Sequence, residues 1–243
     1  MTPPRDHLAG RLVALCALVL LGAGCGVVDT VQNAVDTANT LGSFADRLGR
    51  SAQLTFTAEY RIVGEEAGQR ETETVILSQQ PPNSALSTPG GRLVHTPEYM
   101  IICSDGACQK SPNTAATTTP EAGMVTAVAG PGFVTPELAL GLVAAAAIVP
   151  NTDVRTTERR IAGQETLCAD VTGVSDPQGG TEGTLDRLTV CVTESGVLAS
   201  FAGRTDSGEQ AAIELVKYSG KVDGSAFAPP AGATVEDVAQ PRW

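Results

Sequence analysis

The stretch Gln53-Leu54-Thr55-Phe56-Thr57-Ala58-Glu59-Tyr60-Arg61-Ile62-Val63 decides the architecture. Leu54, Phe56, Ala58, Tyr60 and Ile62 fall on one side of an extended chain, and Gln53, Thr55, Thr57, Glu59 and Arg61 on the other. One apolar face alternating with one solvated face marks a strand in an antiparallel sheet that is packed on one side and wet on the other. Working outward, the pattern returns at Glu71 to Ser78, Ser84 to Thr88, Arg92 to Thr96, Tyr99 to Cys103 and Ala107 to Lys110. Beyond residue 150 it recurs at Asp153 to Ala162, Glu165 to Thr172, Leu185 to Thr193, Gly196 to Arg204 and Gln210 to Tyr218. Glu194-Ser195-Gly196 and Asp206-Ser207-Gly208 supply tight turns between the last three runs. About eleven strands follow in one antiparallel series.

Three helical segments precede or interrupt the series. Val31, Val35, Ala38, Leu41, Phe44 and Leu48 recur every three or four residues between Asp29 and Arg50, so this segment packs an apolar stripe, at least in its second half. Ser111 to Thr119 reads as a Thr-rich loop, and Pro120 to Ala129 as helical. Thr135-Pro136-Glu137 then opens a clear helix, with a cap, a proline at the first helical position and an acid near the positive dipole end. This helix spans Leu138 to Ile148 and stops at Pro150. It is apolar nearly all round, so it must be buried against something.

The order of helix, strands, apolar helical insert and strand meander resembles the LolA/LppX-like group of envelope lipoproteins and lipid carriers. The resemblance is carried by Leu54-Thr55-Phe56-Thr57-Ala58-Glu59-Tyr60, Arg160-Ile161-Ala162-Gly163-Gln164-Glu165, Glu194-Ser195-Gly196-Val197-Leu198 and Ala226-Phe227-Ala228-Pro229-Pro230-Ala231-Gly232-Ala233. It implies an α+β fold, a curved antiparallel half-barrel of about eleven strands with helices packed in or across the concave face. It also implies that the concavity accepts a lipid or acylated glycolipid. The residues alone leave two arrangements open. The one-sided sheet and the alanine-rich helix either close into an ordinary core or leave a gap for acyl chains. The candidate lining of such a gap is Leu54, Phe56, Tyr60 and Ile62 from the first strand, with Leu138, Leu142 and Val143 from the helix.

The N-terminus reads as an export signal. Arg5 and Arg11 charge its start, and Leu12 to Leu21 is an apolar block too short to cross a bilayer core. Leu21-Gly22-Ala23-Gly24-Cys25 resembles the lipobox of bacterial lipoproteins, which makes Cys25 the acylated first residue of the mature chain. The competing reading is an ordinary secretory signal cut near Gly24. The expected organisation is a signal peptide over 1–24 and an anchored helix or tether over 25–50. A half-barrel domain over 51–235 and a tail over 236–243 complete it. The expected location is the extracytoplasmic face of the cell membrane, with the lipid on Cys25 as the attachment.

Export agrees with cysteine use. Once Cys16 and Cys25 are set aside, Cys103, Cys108, Cys168 and Cys191 remain, an even number in an oxidising compartment. Cys103 and Cys108 flank Ser104-Asp105-Gly106-Ala107, a hairpin signal, so a bridge would clamp that hairpin. Folding the runs on either side of Gly173 to Gly183 as a hairpin sets Cys168 opposite Cys191. Zinc is the rival, but the spacing is poor for it and no histidine supports it.

Composition narrows the function classes. The 243-residue chain is 42% hydrophobic, enough for a real core, and carries a net charge of −11. Loss of Arg5, Arg11 and Asp6 with the signal leaves it one unit more negative. That balance argues against nucleic acid, whose phosphates are held by clustered Lys and Arg. Catalytic constellations are scarce: His95 is the single histidine after processing, and it reads as a surface or rim residue of a strand. No phosphate-binding loop or metal cluster appears, and no cofactor is implied. The first reading is a non-enzymatic, lipid-anchored envelope protein that binds or carries a lipid or other apolar ligand. The second is an interaction or sensory module on the same fold, meeting an envelope protein through its exposed sheet face or Thr-rich loop. A hydrolase with scattered carboxylates is the third, and the shortage of aromatics, only 4% of residues, counts against it.

Overall fold

The computed structural model describes residues 39, 42–66, 69–113, 136–147, 152–173, 185–205, 208 and 210–239. The chain divides into two compact units, Met1–Thr40 and Leu41–Trp243, and every element below belongs to the second. Cys25, the lipobox and the expected helix over Pro120 to Ala129 lie outside the described residues.

Helix α1 covers residues 42–51. The first meander is β1 (Phe56–Glu66), β2 (Gln69–Gln80), β3 (Asn83–Ser87), β4 (Gly91–His95), β5 (Tyr99–Ser104) and β6 (Ala107–Pro112). Helix α2 (Pro136–Ala147) follows. A second meander comprises β7 (Asp153–Ile161), β8 (Gln164–Thr172), β9 (Leu185–Thr193), β10 (Leu198–Thr205) and β11 (Gln210–Ser219). A 3-10 turn at Gly224–Phe227 leads to β12 (Thr234–Asp237).

All twelve strands form one open sheet in the order β12-β6-β5-β4-β3-β2-β1-β11-β10-β9-β8-β7. The last strand of the second meander returns to pair with the first strand of the chain, Ile62 opposite Ile213. The ends of the order do not meet, so the sheet is a curved α+β half-barrel, as the resemblance implied. Bulges assist the bend: β1 shifts register on β11 between Glu59 and Tyr60, and β10 shifts on β9 between Leu198 and Ser200.

The eleven expected strands are present, and a twelfth corrects the purely antiparallel series. β12 runs parallel to β6, with Val235 opposite Cys108. It reaches that edge because the chain after β11 crosses the convex side, where Phe227 and Ala233 pack on Ala85, Val94, Ile101 and the Cys103–Cys108 bridge. Arg92 holds the crossing by donating to the carbonyl of Ala228 at 2.9 Å. β12 thus straddles the boundary expected between 235 and 236. β6 also runs through Ser111 to Pro112, two residues into the segment read as loop, because Ser111 pairs with Met100.

Both disulfides form as the hairpin geometry predicts. Cys103 lies directly opposite Cys108, and Cys168 opposite Cys191, each with Cα atoms 4.0 Å apart. Both bridges sit on the convex side. Cys168 and Cys191 are closed over by Ala199 and Ile161.

Candidate functional site

The concave face is built by the residues whose alternation opened the sequence reading. From β1, Phe56, Ala58, Tyr60 and Ile62 are at most 5% exposed. Register then aligns an apolar row across six strands, Tyr218–Ala58–Leu77–Leu86–Leu93–Ile102, each residue directly opposite the next. A second row, Ile62–Ile213–Phe201–Val190–Ala169, runs through the other meander. Directly opposed residues share a face, so both rows belong to one core.

The helices enter this core with few side chains. Phe44 and Leu48 of α1 are buried in it, as the helical stripe predicts. The α1 end is tied to the sheet by Gln79, whose Nε2 donates to the carbonyls of Ser51 at 2.5 Å and Leu54 at 3.1 Å. Gly196, in the β9–β10 turn, has a φ of +106°, and a Cβ built there would collide with the carbonyl oxygen of Arg47. The Arg50 guanidinium donates to the Glu194 carbonyl at 2.8 Å in the same place. Helix α2 packs over β8 and β9. Only Ala139 and Val143 among its described side chains are fully buried; Leu140 and Leu142 are half-buried, and Leu138 is 52% exposed.

The helix is buried against the sheet, as its apolar sequence predicts, but through one narrow face. Alanines and a glycine make α2 apolar without giving it bulk, and a narrow contact through Ala139 and Val143 is enough to seat it. The seven candidate lining residues therefore separate. Phe56, Tyr60, Ile62 and Val143 are enclosed in the core, Leu54 and Leu142 are half-buried against it, and Leu138 faces outward. On β2 and β5, Leu77, Met100 and Ile102 pack against the core and are likewise half-buried.

Tyr60 is held by more than packing. Its hydroxyl donates to the Leu198 carbonyl at 3.0 Å. Burial pushes the phenol far above its usual pKa, and the neighbouring Tyr218 adds to the effect. Phe56 and Tyr218 stack with ring centroids 6.2 Å apart.

Beside the apolar row lies a polar one that the sequence reading missed. Gln79, Ser84, His95, Met100 and Ser111 are opposed in turn across β2 to β6. The row is concave because it lies two residues along each strand from Leu77, Leu86, Leu93, Ile102 and Gln109. His95 is 4% exposed, which corrects its reading as a surface or rim residue. Its Nε2 lies 2.9 Å from Asn113 Nδ2, and the same amide nitrogen donates to the Thr96 carbonyl at 2.7 Å. With Asn113 donating, the ring proton belongs on Nδ1. Parity with Leu93 was the available signal for His95; the rest of the row depends on register across several strands.

Elsewhere the molecule is polar and exposed. On the convex side of β8, Asp170 accepts from Thr189, Arg159 and Thr157. Partial burial alone would raise its pKa, but these bonds and the Arg159 charge outweigh that and hold it below the usual carboxylate value. A cleft of about 440 Å³ lies at the β5–β6–β12 edge, lined by Glu98, Tyr99, Lys110, Ser111, Pro112, Asp237 and Val238. Among the described residues, no group of three His, Cys, Asp or Glu side chains is placed to hold a metal ion, and no helix is long and apolar enough to cross a membrane.

No protein-family model and no curated protein matches the chain. Solved structures share its outline at low identity. MucB is 14% identical with a TM-score of 0.46, over 83% of this chain and 65% of MucB. This chain thus spans under two thirds of MucB's length. LprF from Mycobacterium bovis is 14% identical with a TM-score of 0.41, over 81% of this chain and 98% of that one. A LolA superfamily protein from Nitrosomonas europaea is 10% identical with a TM-score of 0.30, over 73% and 93%. The class defined by the chain's own geometry is an open half-barrel with helices seated in its concave face.

Proposed function

We propose that this chain is an extracytoplasmic binding protein, anchored through a lipid on Cys25, that holds an acylated lipid against the concave face of its half-barrel. The observation that carries the reading is an incomplete core. Leu77, Met100 and Ile102 stay half-buried beside buried Leu86 and Leu93, while α2 sits over β8 and β9 with Leu138 exposed and Leu142 half-buried. Apolar groups left half-open on a concave surface suit an acyl chain. The two buried disulfides and the export signal support an oxidising compartment. On this reading the protein is a carrier or receptor, and the site is one of binding, not catalysis.

Native mass spectrometry of the full chain, before and after delipidation, tests it. Co-purification of about one lipid per chain, and its rebinding after removal, is expected. Recovery of lipid-free protein that takes up no added acyl lipid overturns the reading.

The enclosure of Phe56, Tyr60, Ile62 and Val143 favours a second reading, an interaction module whose concave side is simply core. Its contact would be the free edge of β7, which among the described strands pairs only with β8. A stoichiometric envelope protein bound by lipid-free protein, and lost on substituting the β7 edge, distinguishes the two.

A further inference from the structure

The sheet ends at β12, and the outer side of that strand is open. Thr234 and Val238 turn their N–H groups inward, to the carbonyls of Gly106 at 3.0 Å and Lys110 at 2.8 Å. In a parallel pair the bonding residues alternate. Val235 and Asp237 therefore turn their N–H and C=O groups outward, where no described strand meets them. All four residues of β12 are exposed, Val235 to 42%. An edge of this kind is a template for an added strand.

The side chains along the edge define what it accepts. Val235 lies opposite Cys108 and Asp237 opposite Lys110, which puts both on the convex side, whereas Glu236, opposite Gln109, faces the other way. At Asp237 the edge runs into the cleft of about 440 Å³, where Glu98 and Tyr99 form part of the wall. Lys110, the one basic residue lining that cleft, holds its Nζ 4.7 Å from the centroid of the Tyr99 ring. Among the described residues, none of Glu98, Glu236 and Asp237 enters an ion pair. The opposite edge differs, because Arg155, Arg159 and Arg160 of β7 are already paired with Asp153, Asp170 and Glu165. The uncompensated charge on a free edge is thus negative and lies on β12. A second copy of this chain, itself at net −11, is repelled by it. A basic partner is attracted.

We propose that the β12 edge docks an extended, basic segment of another protein, which adds to the sheet as a further strand. Its backbone bonds the outward groups of Val235 and Asp237. An apolar side chain covers Val235, and a lysine or arginine stands opposite each of Glu236 and Asp237, so the pattern recognised is apolar–basic–basic. The second basic arm extends over the cleft toward Glu98. This contact lies on the edge of the sheet and does not depend on whether the concavity holds lipid.

The test is fluorescence anisotropy of the full chain with a labelled peptide carrying a valine–lysine–arginine triplet between threonines, and with its valine–glutamate–aspartate counterpart. The basic peptide is expected to bind, more weakly as salt rises, and the acidic one at least about tenfold less tightly. N-methylation of one alternate set of peptide amides should abolish binding, and methylation of the other set should leave it unchanged, the signature of an added strand. Val235→Pro removes only an outward N–H, so it should weaken binding about fivefold to tenfold at an unchanged melting temperature. Glu236→Gln with Asp237→Asn should flatten the salt dependence. Failure of the basic peptide to bind, or equal binding of the acidic one, overturns the proposal. Equal effects of the two methylated sets overturn strand addition, and they decide the matter if Val235→Pro also lowers the melting temperature. Self-association of the full chain that Val235→Pro abolishes would seat a second copy on this edge and overturn the basic partner.

Discussion

Tyr60 on β1 and Leu198 on β10 are joined by a hydrogen bond of 3.0 Å that passes over β11, the strand between them. The phenol donates and the carbonyl accepts. Leu198 stands at the bulge of β10, and Tyr60 at the bulge of β1. The bond therefore ties together two of the places where the sheet departs from regular register.

Tyr60→Phe keeps the ring and removes this tie. It should cost about 1 kcal/mol in denaturant unfolding, the usual value of one buried hydrogen bond. A pH dependence accompanies it. The folded phenol is raised above its ordinary 10.0, so its contribution is present below pH 10 and is lost as pH rises and the unfolded chain ionises. The alkaline fall in stability should be shallower in Tyr60→Phe. An unchanged alkaline limb would show that Tyr60 is not the group responsible.

Gly196→Ala should be far more costly than its chemistry suggests. The residue combines a left-handed φ of +106° with direct approach to the Arg47 carbonyl, so a methyl group strains the turn and pushes α1 off the sheet. A loss of about 2 kcal/mol or more is expected. Hydrogen exchange over residues 42–51 reads the local effect. Protection there equal to the parent chain would show that α1 does not depend on this contact.

Much of this frame was legible in the chain because the alternation is local. Leu54 to Ile62 gave the first strand and its inner face, and the turn at Asp105-Gly106 set Cys103 against Cys108 without tertiary information. β12 was not legible. Four residues are too short for a pattern, and their strand conformation is imposed by the free edge of β6 beneath a crossing anchored at Phe227. That α2 packs on the sheet is legible in its apolar sequence, but which face packs is not, because hydropathy counts Ala144 and Ala145 as apolar while a small side chain needs no partner. How deeply each of the seven candidate lining residues is enclosed depends on packing between elements distant in sequence. Ser84 and His95 became a pair only through the register of β3 on β4.

The two disulfides should differ in worth. Cys168 and Cys191 are separated by 23 positions in the chain and Cys103 and Cys108 by 5, so the first closes the larger loop of the unfolded state. Replacing both cysteines by alanine should cost about 3 kcal/mol for the first pair and about 2 kcal/mol for the second. Unfolding of the two double variants in parallel checks the order. The reverse order would mean that the Cys103–Cys108 bridge acts through the folded C-terminal crossing, which packs on it.

Asp170 predicts an acid limb. Its carboxyl is held below its usual pKa, so the stability it adds is present above the unfolded value of about 3.9 and is lost as pH falls through the lower folded value. Asp170→Asn should lower stability at pH 7 and flatten its decline below about pH 4. Urea midpoints from pH 2 to 7 measure both. A parallel shift at every pH would show that the carboxylate charge is not what Thr189 and Arg159 recognise.

Helix α2 carries an exposed leucine and an enclosed valine five positions apart. Val143 is fully enclosed, whereas Leu138 is 52% exposed. Val143→Ala removes two buried carbons and should cost about 1–2 kcal/mol. Leu138→Gln leaves the packed contact alone and should change stability by no more than about 0.5 kcal/mol. If the outward leucines of α2 meet an acyl chain, the same Leu138→Gln should weaken acyl-lipid uptake severalfold, because it exchanges an apolar contact for an amide that must be desolvated. The combination of intact stability and impaired uptake assigns Leu138 to the ligand. Intact stability with unaltered uptake removes α2 from the site and confines the lipid to the Leu77–Met100–Ile102 side of the concavity.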